Sequence, residues 1–547
     1  MKLKSLLLIV ISVMAGSGLF AQAMSGTYYV GGTGANFTTP KQALDTVSAR
    51  GVSGHVIFRV RPGTYTGQLL INNITTTAAN RTITFIADSV NAAPVIITSN
   101  TSNSTMNFTV RLNNARFFNF RHIRFTTAST SYSRVIEIYG STKRCEFDSC
   151  QFIGYKVSTT SNNYATIYNN TGTGNMSDSN TFKNSLIQNG SYAIYYYGGS
   201  SSNYEKGNTF LNNKIENFYY YGFYSYYQEG LIFKYNVIED DSSTGYFYGA
   251  YLYYNRGIQF THNKLDGSKQ WGNYALFLYY CQGTSSLKNY VNNNMVSVRG
   301  GTTNYTNYGA YLYYCAYTEF NFNSIHLLSG YSSSYVLYFY GPSTTYQGNT
   351  MYNNSFVNSN MSASNPFYIY APSSTILNSN RNNYYSNSGT LGSYNGTNCT
   401  SIAQWRSAAN PNEANSISSD PGYYAVNDLH ASEIDLFRTG QPVSGITTDF
   451  DNQARHSTAP CIGADEFIVP TIDARSFDVN LKFICQGQHT VIATIKNQGL
   501  DSLSKVRVNW ALSTNNGAWV SQTPVNYTPT SKLPTSATAQ VTLGLQT

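Results

Sequence analysis

Acidic side chains recur at one position of a repeated segment in the middle of the chain. Each comes directly after an apolar residue, and the three are Glu216, Glu239 and Asp266. Because side chains alternate across a strand, the apolar residues should point inward and the acidic ones outward, stacked roughly 5 Å apart. Stacked carboxylates repel unless a cation or a shared proton intervenes. The column could therefore form a Ca²⁺ site or the acid/base pair of a glycosidase, or it could be a solvated row of Lys/Glu pairs.

Tyrosine provides a second candidate surface. Seven segments, at intervals of about 30 residues, end in a Tyr pair or a near copy of one: Tyr196-Tyr197, Tyr226-Tyr227, Tyr253-Tyr254, Tyr279-Tyr280, Tyr313-Tyr314, Phe339-Tyr340 and Ile369-Tyr370. A fixed period of this length predicts a stack of like units. Residues at one repeat position then form a column along the stack.

The alternation within these segments predicts an aromatic outer surface. Leu252, Leu278 and Leu312 share the inward register, and the opposite register is predicted to form a binding surface of Tyr224, Tyr226, Tyr251, Tyr253, Phe277, Tyr279, Tyr311, Tyr313 and Phe339. Exposed contiguous aromatic area is typical of binding sites, and flat rings with a hydroxyl suit the faces of sugars. The alternative is that flanking loops cover these rings.

A second marker, Asn-x-apolar, keeps the same period. It begins at Asn184, Asn213, Asn236, Asn263, Asn293, Asn323 and Asn354. We expect each Asn to make a tight bend with left-handed backbone angles, while its amide bonds the Asn above and below. Phe233, Phe260 and Phe320 lie at one spacing before the marker and should stack inside.

Composition narrows the class of protein. The chain has 547 residues, of which 11% are charged and 15% aromatic, with a net charge of +8. Abundant aromatics at a regular spacing favour a packed β protein over disorder. The charge is mild and no Lys/Arg cluster stands out, so nucleic-acid binding is not indicated.

Residues 1–23 have the pattern of a secretory signal peptide. Lys2 and Lys4 form the basic end, an apolar run follows, and Ala21-Gln22-Ala23 provides small residues for cleavage. The apolar run is too short to span a bilayer, and no later segment is long and apolar enough. We therefore expect a secreted or outer-surface protein without a membrane span.

Seven cysteines are spread thinly, which is not a disulfide framework. Cys281 and Cys315 each follow a Tyr pair and should be neighbours in the stack. A buried thiol stack is favoured over a disulfide, and no Cys/His spacing fits zinc.

The start of the mature chain resembles a known family. Thr39 can cap a helix, Pro40 suits its first turn, and Gln42 completes a capping box. The strand-like stretch 55–60 and a Pro-Gly-Thr-Tyr turn at 62–65 follow. This opening resembles right-handed parallel β-helix proteins of the pectin-lyase-like class, in which a short helix caps the open end. The resemblance implies a right-handed parallel β-helix solenoid over residues 24–467, with coils of three short strands.

Two later segments carry further resemblances. Residues 420–466 look like the closing segment of secreted β-helix proteins from Bacteroidetes-type bacteria. Within them, Asp449, Asp451 and Arg455 could bind a cation or form an internal salt-bridged turn. Residues 468–547 resemble the Ig-like (CARDB-like) spacer modules of bacterial surface proteins. No clear last strand precedes Thr547, so we expect a truncated β-sandwich whose anchoring signals are missing.

The resemblance does not extend to catalytic motifs. In pectin-lyase-like enzymes catalysis usually sits on one sheet's outer face, which here corresponds to the Tyr strand. The sequence has no Gly-His-Gly, no Arg-Ile-Lys and no paired Asp followed by such a His. We therefore expect a binding protein or adhesin for polysaccharide or surface glycan, monomeric or anchored through missing modules. The alternative is a polysaccharide lyase or glycoside hydrolase using Glu216, Glu239 and Asp266. No cofactor is expected, with calcium at those three carboxylates as the alternative.

Overall fold

The computed structural model describes residues 22–89, 93–101, 103–170, 172, 174–241, 245–269, 271–300, 304–328, 330–480, 488–513 and 517–546. The predicted signal peptide lies outside these ranges except for its last two residues, and Cys485 lies outside them too. The described chain is about 45% strand and 6% helix. It forms a parallel β-helix of about 13 turns followed by antiparallel sheets, which confirms the predicted all-β solenoid.

Three long sheets form the walls of the solenoid, and each coil adds one strand to each sheet. The first wall, here called the phenylalanine sheet, has 13 strands. They are Met24–Val30, Val52–Val60, Ile83–Ala87, Phe118–Arg121, Glu146–Asp148, Thr181–Lys183, Thr209–Leu211, Ile232–Lys234, Gln259–Thr261, Asn289–Asn292, Thr318–Asn321, Asn349–Tyr352 and Leu377–Asn380.

The second wall, the carboxylate sheet, has 12 strands that follow those of the phenylalanine sheet along the chain. They are Gly63–Thr66, Val95–Ser99, Ile123–Thr127, Gln151–Ile153, Leu186–Gln188, Lys214–Glu216, Val237–Asp240, Lys264–Gly267, Met295–Val298, Ser324–Leu327, Ser355–Asn358 and Asn383–Ser386. The first of these starts inside the predicted Pro-Gly-Thr-Tyr turn, so Gly63 begins a strand.

The third wall, the tyrosine sheet, has 13 strands, of which the last pairs antiparallel with the one before. They are Leu69–Asn72, Val110–Asn113, Ile136–Tyr139, Ile167–Asn170, Tyr192–Tyr197, Tyr221–Tyr226, Phe247–Tyr253, Asn273–Tyr279, Tyr308–Tyr313, Tyr335–Tyr340, Phe367–Tyr370, Gly392–Tyr394 and Thr397–Cys399. A separate pair, Glu205–Lys206 and Gln228–Glu229, lies outside the three walls.

The core is a stack of inward side chains, one from each coil. Phe233 and Phe260 are buried and stack with centroids 5.1 Å apart. Val291 takes the same position on the next coil and Phe320 on the one after. The predicted inward phenylalanine column is therefore confirmed. Burial of such large apolar side chains is the main stabilising contribution to a fold of this kind.

Asparagines line the bend between the phenylalanine and carboxylate sheets. Their column runs through Asn213, Asn236, Asn263, Asn294, Asn323, Asn354 and Asn382, all buried or nearly so. The carboxamide oxygen of Asn263 accepts from the backbone N–H of Asn236 at 2.9 Å and from its side-chain amide at 3.3 Å. The predicted amide ladder is thus present.

Two details of the Asn prediction were wrong. Asn184 and Asn293 precede the ladder positions, which Ser185 and Asn294 occupy. The left-handed residue is the one before the ladder position, as at Tyr235 (φ 56°) and His262 (φ 58°). The left-handed expectation therefore holds for Asn184 (φ 53°) and Asn293 (φ 56°), which precede the ladder, and not for the ladder residues themselves. The ladder position instead needs a side chain that can point inward and bond the next coil. The positive φ therefore falls on whichever residue precedes it.

Helices close both ends of the solenoid. The helix Pro40–Arg50 has Thr39 as its N-cap, and the Thr39 hydroxyl accepts from Gln42 N at 3.2 Å. This helix buries Ala43, Leu44 and Val47. This confirms the capping helix, although the Gln42 side chain accepts from Thr38 N instead of Thr39 N. At the other end, the helix Ile402–Ala409 places the buried Trp405 ring 4.9 Å from Tyr384. Short 3₁₀ turns lie at Ser104–Met106, Asn162–Tyr164, Thr344–Tyr346 and Ile434–Leu436. In the described ranges, no helix has the length and apolarity to cross a membrane.

The segment after the second helix runs back along the side of the solenoid. Its Thr439 carbonyl accepts from Arg381, its Thr448 carbonyl from Asn293, and its Asn452 amide oxygen from the hydroxyl of Tyr235. Asp449 accepts from the backbone amides of Asp451, Gln453 and Glu466. The buried guanidinium of Arg455 bonds the carbonyls of Gly463 and Ala464 and the Glu466 carboxylate. The residues predicted to close the stack therefore bind its flank, and Trp405 covers its end.

Antiparallel strands form a separate C-terminal unit. Ala474–Val479, His489–Asn497 and Thr538–Gln546 make one sheet. Val506–Val508 pairs with Val525–Tyr527, and Ala511–Leu512 with Val520–Ser521. The expectation of no clear last strand was wrong, because Thr538–Gln546 pairs along the length of His489–Asn497. Lys496 of this unit forms ion pairs with Glu433 (2.6 Å) and Asp435 (2.8 Å), which lie in the segment along the side of the solenoid.

Candidate functional site

One six-residue pattern builds the outer face of the tyrosine sheet over six successive coils. It is Tyr, then a small residue or Val, an apolar residue, Tyr or Phe, any residue, and Tyr. It occupies 192–197, 221–226, 248–253, 274–279, 308–313 and 335–340. The second and third positions are both buried, so the first, fourth and sixth face outward. A Cβ on Gly249 would lie 2.5 Å from the Ala275 carbonyl oxygen, which shows how closely the coils pack there.

The outward positions form three columns, together called the tyrosine face. The first column is Tyr192, Tyr221, Tyr248, Tyr274, Tyr308 and Tyr335. The middle column is Tyr168, Tyr195, Tyr224, Tyr251, Phe277, Tyr311, Tyr338 and Tyr368. The last column is Tyr197, Tyr226, Tyr253, Tyr279, Tyr313, Tyr340 and Tyr370. A single file of tyrosines, as the sequence period predicted, is therefore present three times over.

The middle column is a continuous ring stack. Successive centroids lie 4.2 to 5.6 Å apart and successive ring planes differ by 1° to 14°. At its first ring, the Arg134 guanidinium lies 3.3 Å from the Tyr168 centroid, and Arg134 also pairs with Glu137 at 2.9 Å. Rings in this offset-stacked arrangement turn their faces toward one another. The column therefore presents ring edges and hydroxyls to solvent, which corrects the expectation of open flat faces.

Tyr253 interrupts the last column. Its ring plane is turned 82° from that of Tyr226 and 70° from that of Tyr279. Farther along, Tyr279 and Tyr313 are parallel again, with a 4° difference. The Tyr253 ring stacks instead on the adjacent Tyr254, with centroids 4.6 Å apart and planes 30° apart.

Eight of the nine predicted binding residues lie on the tyrosine face. Seven are partly exposed: Tyr224, Tyr226, Tyr251, Tyr253, Tyr279, Tyr311 and Tyr313. Phe277 is 9% exposed, between Tyr251 and Tyr311. Phe339 was placed wrongly, because it is 1% exposed and pairs in register with the inward Leu312. In that coil Tyr338 and Tyr340 face outward, one residue off the predicted register.

Sequence reasoning missed the first column entirely. Its residues precede the fourth position of the pattern by three, as Tyr308 precedes Tyr311. A strict alternation places them on the inward side. The signal that could have revealed them is the recurring small residue at the next position, where two consecutive buried residues shift the alternation.

Tyrosines in the middle and last columns are harder to ionise than a free tyrosine. Burial raises the pKa of Tyr195, Tyr253 and Tyr338 to about 12, and neighbouring tyrosines add to the shift. The hydroxyls therefore stay protonated and can both donate and accept hydrogen bonds. A rim of further rings follows the last column: Tyr227, Tyr254, Tyr280 and Tyr314, all at positive φ.

The predicted acidic residues lie on the carboxylate sheet in one column. Glu216, Glu239 and Asp266 are paired in register on three successive coils, as the parity argument predicted. Ser297 takes the next position and His326 the one after. Desolvation lowers the pKa of His326 to about 4, so this ring is neutral near pH 7.

Basic side chains already contact the three carboxylates. Lys214 Nζ lies 2.7 Å from Glu216 Oε2 and 2.8 Å from Glu239 Oε1. Arg299 holds the buried Asp266 through two hydrogen bonds of 2.6 and 2.9 Å, and it also reaches Asp241 at 2.6 Å. Hydrogen bonds to these carboxylates raise the pKa of both Lys214 and Arg299. The column is thus a set of ion pairs, with each carboxylate adjacent to a positive charge.

Another acidic group lies in residues 420–466, the segment that runs along the side of the solenoid. Among the described residues, His430, Asp451 and Asp465 form the one group whose potential metal-ligating atoms all lie within 4.8 Å of one another. The His430 Nε2 atom lies 2.6 Å from Asp451, and its Nδ1 atom contacts Asp428. Both ring nitrogens therefore have a carboxylate partner.

No family model matches the chain, and no curated protein matches it. Two solved structures are similar in part. One is the catalytic domain of Agl-KA, with 12% identity and a TM-score of 0.30, covering 63% of this chain and 55% of that chain. The other is PfbA, a surface adhesin of Streptococcus pneumoniae, with 13% identity and a TM-score of 0.29, covering 63% of this chain and 89% of that one. The chain thus spans little more than half the length of the first of these structures.

Proposed function

We propose that this protein binds a polysaccharide through the tyrosine face. The observation that supports this most directly is the middle column, a stack of eight rings flanked on both sides by a further tyrosine column. Large contiguous aromatic surfaces on soluble proteins usually mark binding sites. Six coils repeat the same pattern, so the face extends roughly 25 Å along the solenoid at the spacing of neighbouring strands.

The chemistry of the face suits an uncharged, hydroxyl-rich polymer. Each tyrosine hydroxyl can donate one hydrogen bond and accept others, as a sugar hydroxyl can. The hydroxyls recur at a regular spacing along each column, and a polymer of like units lying along the solenoid would meet the same groups on every coil. Ring edges between the hydroxyls offer apolar contact to sugar C–H groups.

The carboxylate column favours binding over catalysis. A general acid or a nucleophile must reach the substrate, whereas Lys214 and Arg299 bond Glu216, Glu239 and Asp266. Lyase or hydrolase chemistry with calcium at these residues stays the alternative hypothesis. It would require the ion pairs to open.

The protein would be secreted or displayed on the outer surface, as the signal-peptide pattern of residues 1–23 suggests. The resemblance of residues 420–466 favours a bacterium of the Bacteroidetes type. The C-terminal unit would serve as an Ig-like spacer behind the solenoid. The buried Lys496–Glu433 ion pair supports a fixed junction between them.

Pull-down with insoluble polysaccharides, supported by a glycan array, tests the proposal. We would compare the native chain with Tyr253→Phe/Tyr279→Phe, which removes two hydroxyls, and Tyr253→Ala/Tyr279→Ala, which also removes the rings. Trp519→Ala is the matched control, because Trp519 is 75% exposed on the C-terminal unit. We expect weaker retention for the Phe pair, near loss for the Ala pair, and no change for the control. If both double variants were retained on the polysaccharide as strongly as the native chain, the tyrosine face would be rejected as the site.

A further inference from the structure

A cleft of about 590 Å³ lies on the outer face of the phenylalanine sheet, away from the tyrosine face. Its floor is formed by strands of four successive coils and includes Lys234, Tyr290 and Glu319. The loop 444–448 forms one wall. That loop is tied down, because the Thr448 carbonyl accepts from Asn293 at 2.8 Å and the Thr447 carbonyl from Arg455 N at 2.9 Å. The cleft is therefore preformed, as small-molecule sites usually are.

Two lysines reach this cleft, and they differ in their partners. Lys288 Nζ lies 2.8 Å from Glu319 Oε1, so its charge is compensated. Within the described part of the chain, the half-buried Lys234 has neither an ion pair nor a side-chain hydrogen bond. Burial lowers the pKa of Lys234. An ammonium withdrawn from water without a counter-charge is unfavourable, and charges in such positions are normally paired.

The surroundings of Lys234 otherwise provide neutral polar groups. Thr261 neighbours it on the next coil, and Asn292 neighbours Thr261 in turn. His262 also lines the cleft, where burial and then the charges of Lys234 and Arg455 lower its pKa to about 4. Near pH 7 the ring is neutral and adds no charge. The lining thus joins one uncompensated positive charge to hydroxyl, amide and imidazole groups that can bond a sugar.

We propose that the cleft binds an oxyanion, a carboxylate or a phosphate, carried by a small sugar. The anionic group would pair with Lys234 and supply the counter-charge that the protein does not provide. The neutral side chains and the wall at 444–448 would hold the sugar. This site is independent of the tyrosine face and of polysaccharide binding there.

Calorimetric titration of the full chain with three matched sugars tests the proposal. Glucose, glucuronate and glucose 6-phosphate share a ring and differ in charge. We expect binding of one or both anionic sugars and at least tenfold weaker binding of glucose, in line with a charge-assisted contact. Whichever anion binds tighter identifies the source of the oxyanion.

Lysine variants locate the contact. Lys234→Met should weaken binding of the anionic sugar about tenfold, whereas Lys264→Met, on the carboxylate sheet of the next coil, should leave it unchanged. The Tm of Lys234→Met should equal or exceed that of the native chain, since the substitution removes an uncompensated charge. Equal affinity for all three sugars, absence of binding at millimolar concentration, or unchanged binding in Lys234→Met would each overturn the assignment.

Discussion

Phe277 and Tyr311 lie on successive coils with their ring centroids 4.2 Å apart and their planes within 1° of parallel. This is the tightest contact in the middle column. It occurs at the one ring of that column without a hydroxyl, and Phe277 is only 9% exposed. At its centre, the tyrosine face is therefore a packed layer as well as a surface.

Truncation of Phe277 should destabilise the solenoid. Phe277→Ala removes the ring between Tyr251 and Tyr311, and we expect a loss of about 3 kcal/mol in the free energy of unfolding. Phe277→Tyr should be tolerated, because every other ring of this column is a tyrosine. Denaturant titration followed by circular dichroism would measure both. Trp519→Ala should stay within about 0.5 kcal/mol of the native chain, and an equal loss there would contradict the assignment.

Truncation of one Asn in the middle of the ladder should also lower the free energy of unfolding. Asn263 donates to the Phe233 carbonyl at 2.9 Å and to Asn294 at 3.1 Å, and it accepts twice from Asn236. Asn263→Ala leaves buried partners unsatisfied on both neighbouring coils, at a cost of about 3 kcal/mol or more.

A control separates the ladder from the bend beside it. Asn212 has a positive φ of 53° and an exposed hydrogen bond to Asn184. Asn212→Gly should therefore change the midpoint of the same denaturant titration little, since glycine adopts that backbone conformation freely. A larger loss at Asn212 than at Asn263 would show that the bend matters more than the ladder.

The period and the alternation predicted a stack of coils with an inward and an outward face, and the resemblance of the opening segment implied the parallel β-helix. Leu252, Leu278 and Leu312 are buried as predicted, and Ile215, Ile238 and Leu265 lie inside opposite the acidic column. In a parallel stack each coil meets the next in register. A repeat read from sequence therefore translates directly into a column.

Register was the weak point of the sequence reasoning. Where two tyrosines stand together, either one can face outward, and a shift of one residue exchanges the two faces of the strand. Tyr196 is fully buried although Tyr226 is partly exposed, and each was taken as the first member of its pair. Only the neighbouring coil resolves this ambiguity, because Tyr197 stacks on Tyr226 at 4.5 Å.

The orientation of the tyrosine rings and the partners of the carboxylates could not be predicted, because they depend on contacts between coils that no local sequence pattern contains. The direction of the ring faces is set by stacking between coils, and Arg299 reaches Asp266 from the following coil. The path of the segment along the side of the solenoid is set by long-range hydrogen bonds, such as that from the Tyr235 hydroxyl to Asn452. These contacts join residues far apart in sequence, so neither periodicity nor composition indicates them.

Calcium should have little effect on stability if the ion pairs of the carboxylate column persist in solution. Lys214 and Arg299 supply positive charge to Glu216, Glu239 and Asp266. We expect the Tm to be the same in excess calcium and in excess chelator. Lys214→Met should shift stability by less than about 1 kcal/mol, because Lys214 is 52% exposed. A clear calcium-dependent rise in Tm, abolished in Glu239→Gln, would instead support a metal site at this column.

Stability should fall between pH 6.5 and pH 8.5 because of His430. Burial alone would lower its pKa, but hydrogen bonds to Asp428 and Asp451, with Asp465 nearby, raise it to about 9. A group whose pKa is raised on folding contributes its full stabilisation below its unfolded pKa, near 6.5, and loses it as the pH rises through the folded value. The free energy of unfolding should thus drop by about 2 kcal/mol across this range.

Variants assign this pH effect to one ring. His430→Gln should be less stable at pH 6.5 and should lose most of the dependence between pH 6.5 and 8.5, measured by denaturant titration at each pH. His55→Gln, which alters a ring on the phenylalanine sheet, should keep the native profile. Asp465 titrates mostly below this window, since burial raises its pKa to about 6. The buried Cys145 thiol, whose pKa is raised to about 12, lowers stability only toward pH 8.5, where the thiol of the unfolded chain begins to ionise, and this fall is common to every variant. A native profile that stays flat from pH 6.5 to 8.5 would mean that His430 is not held as a cation between Asp428 and Asp451.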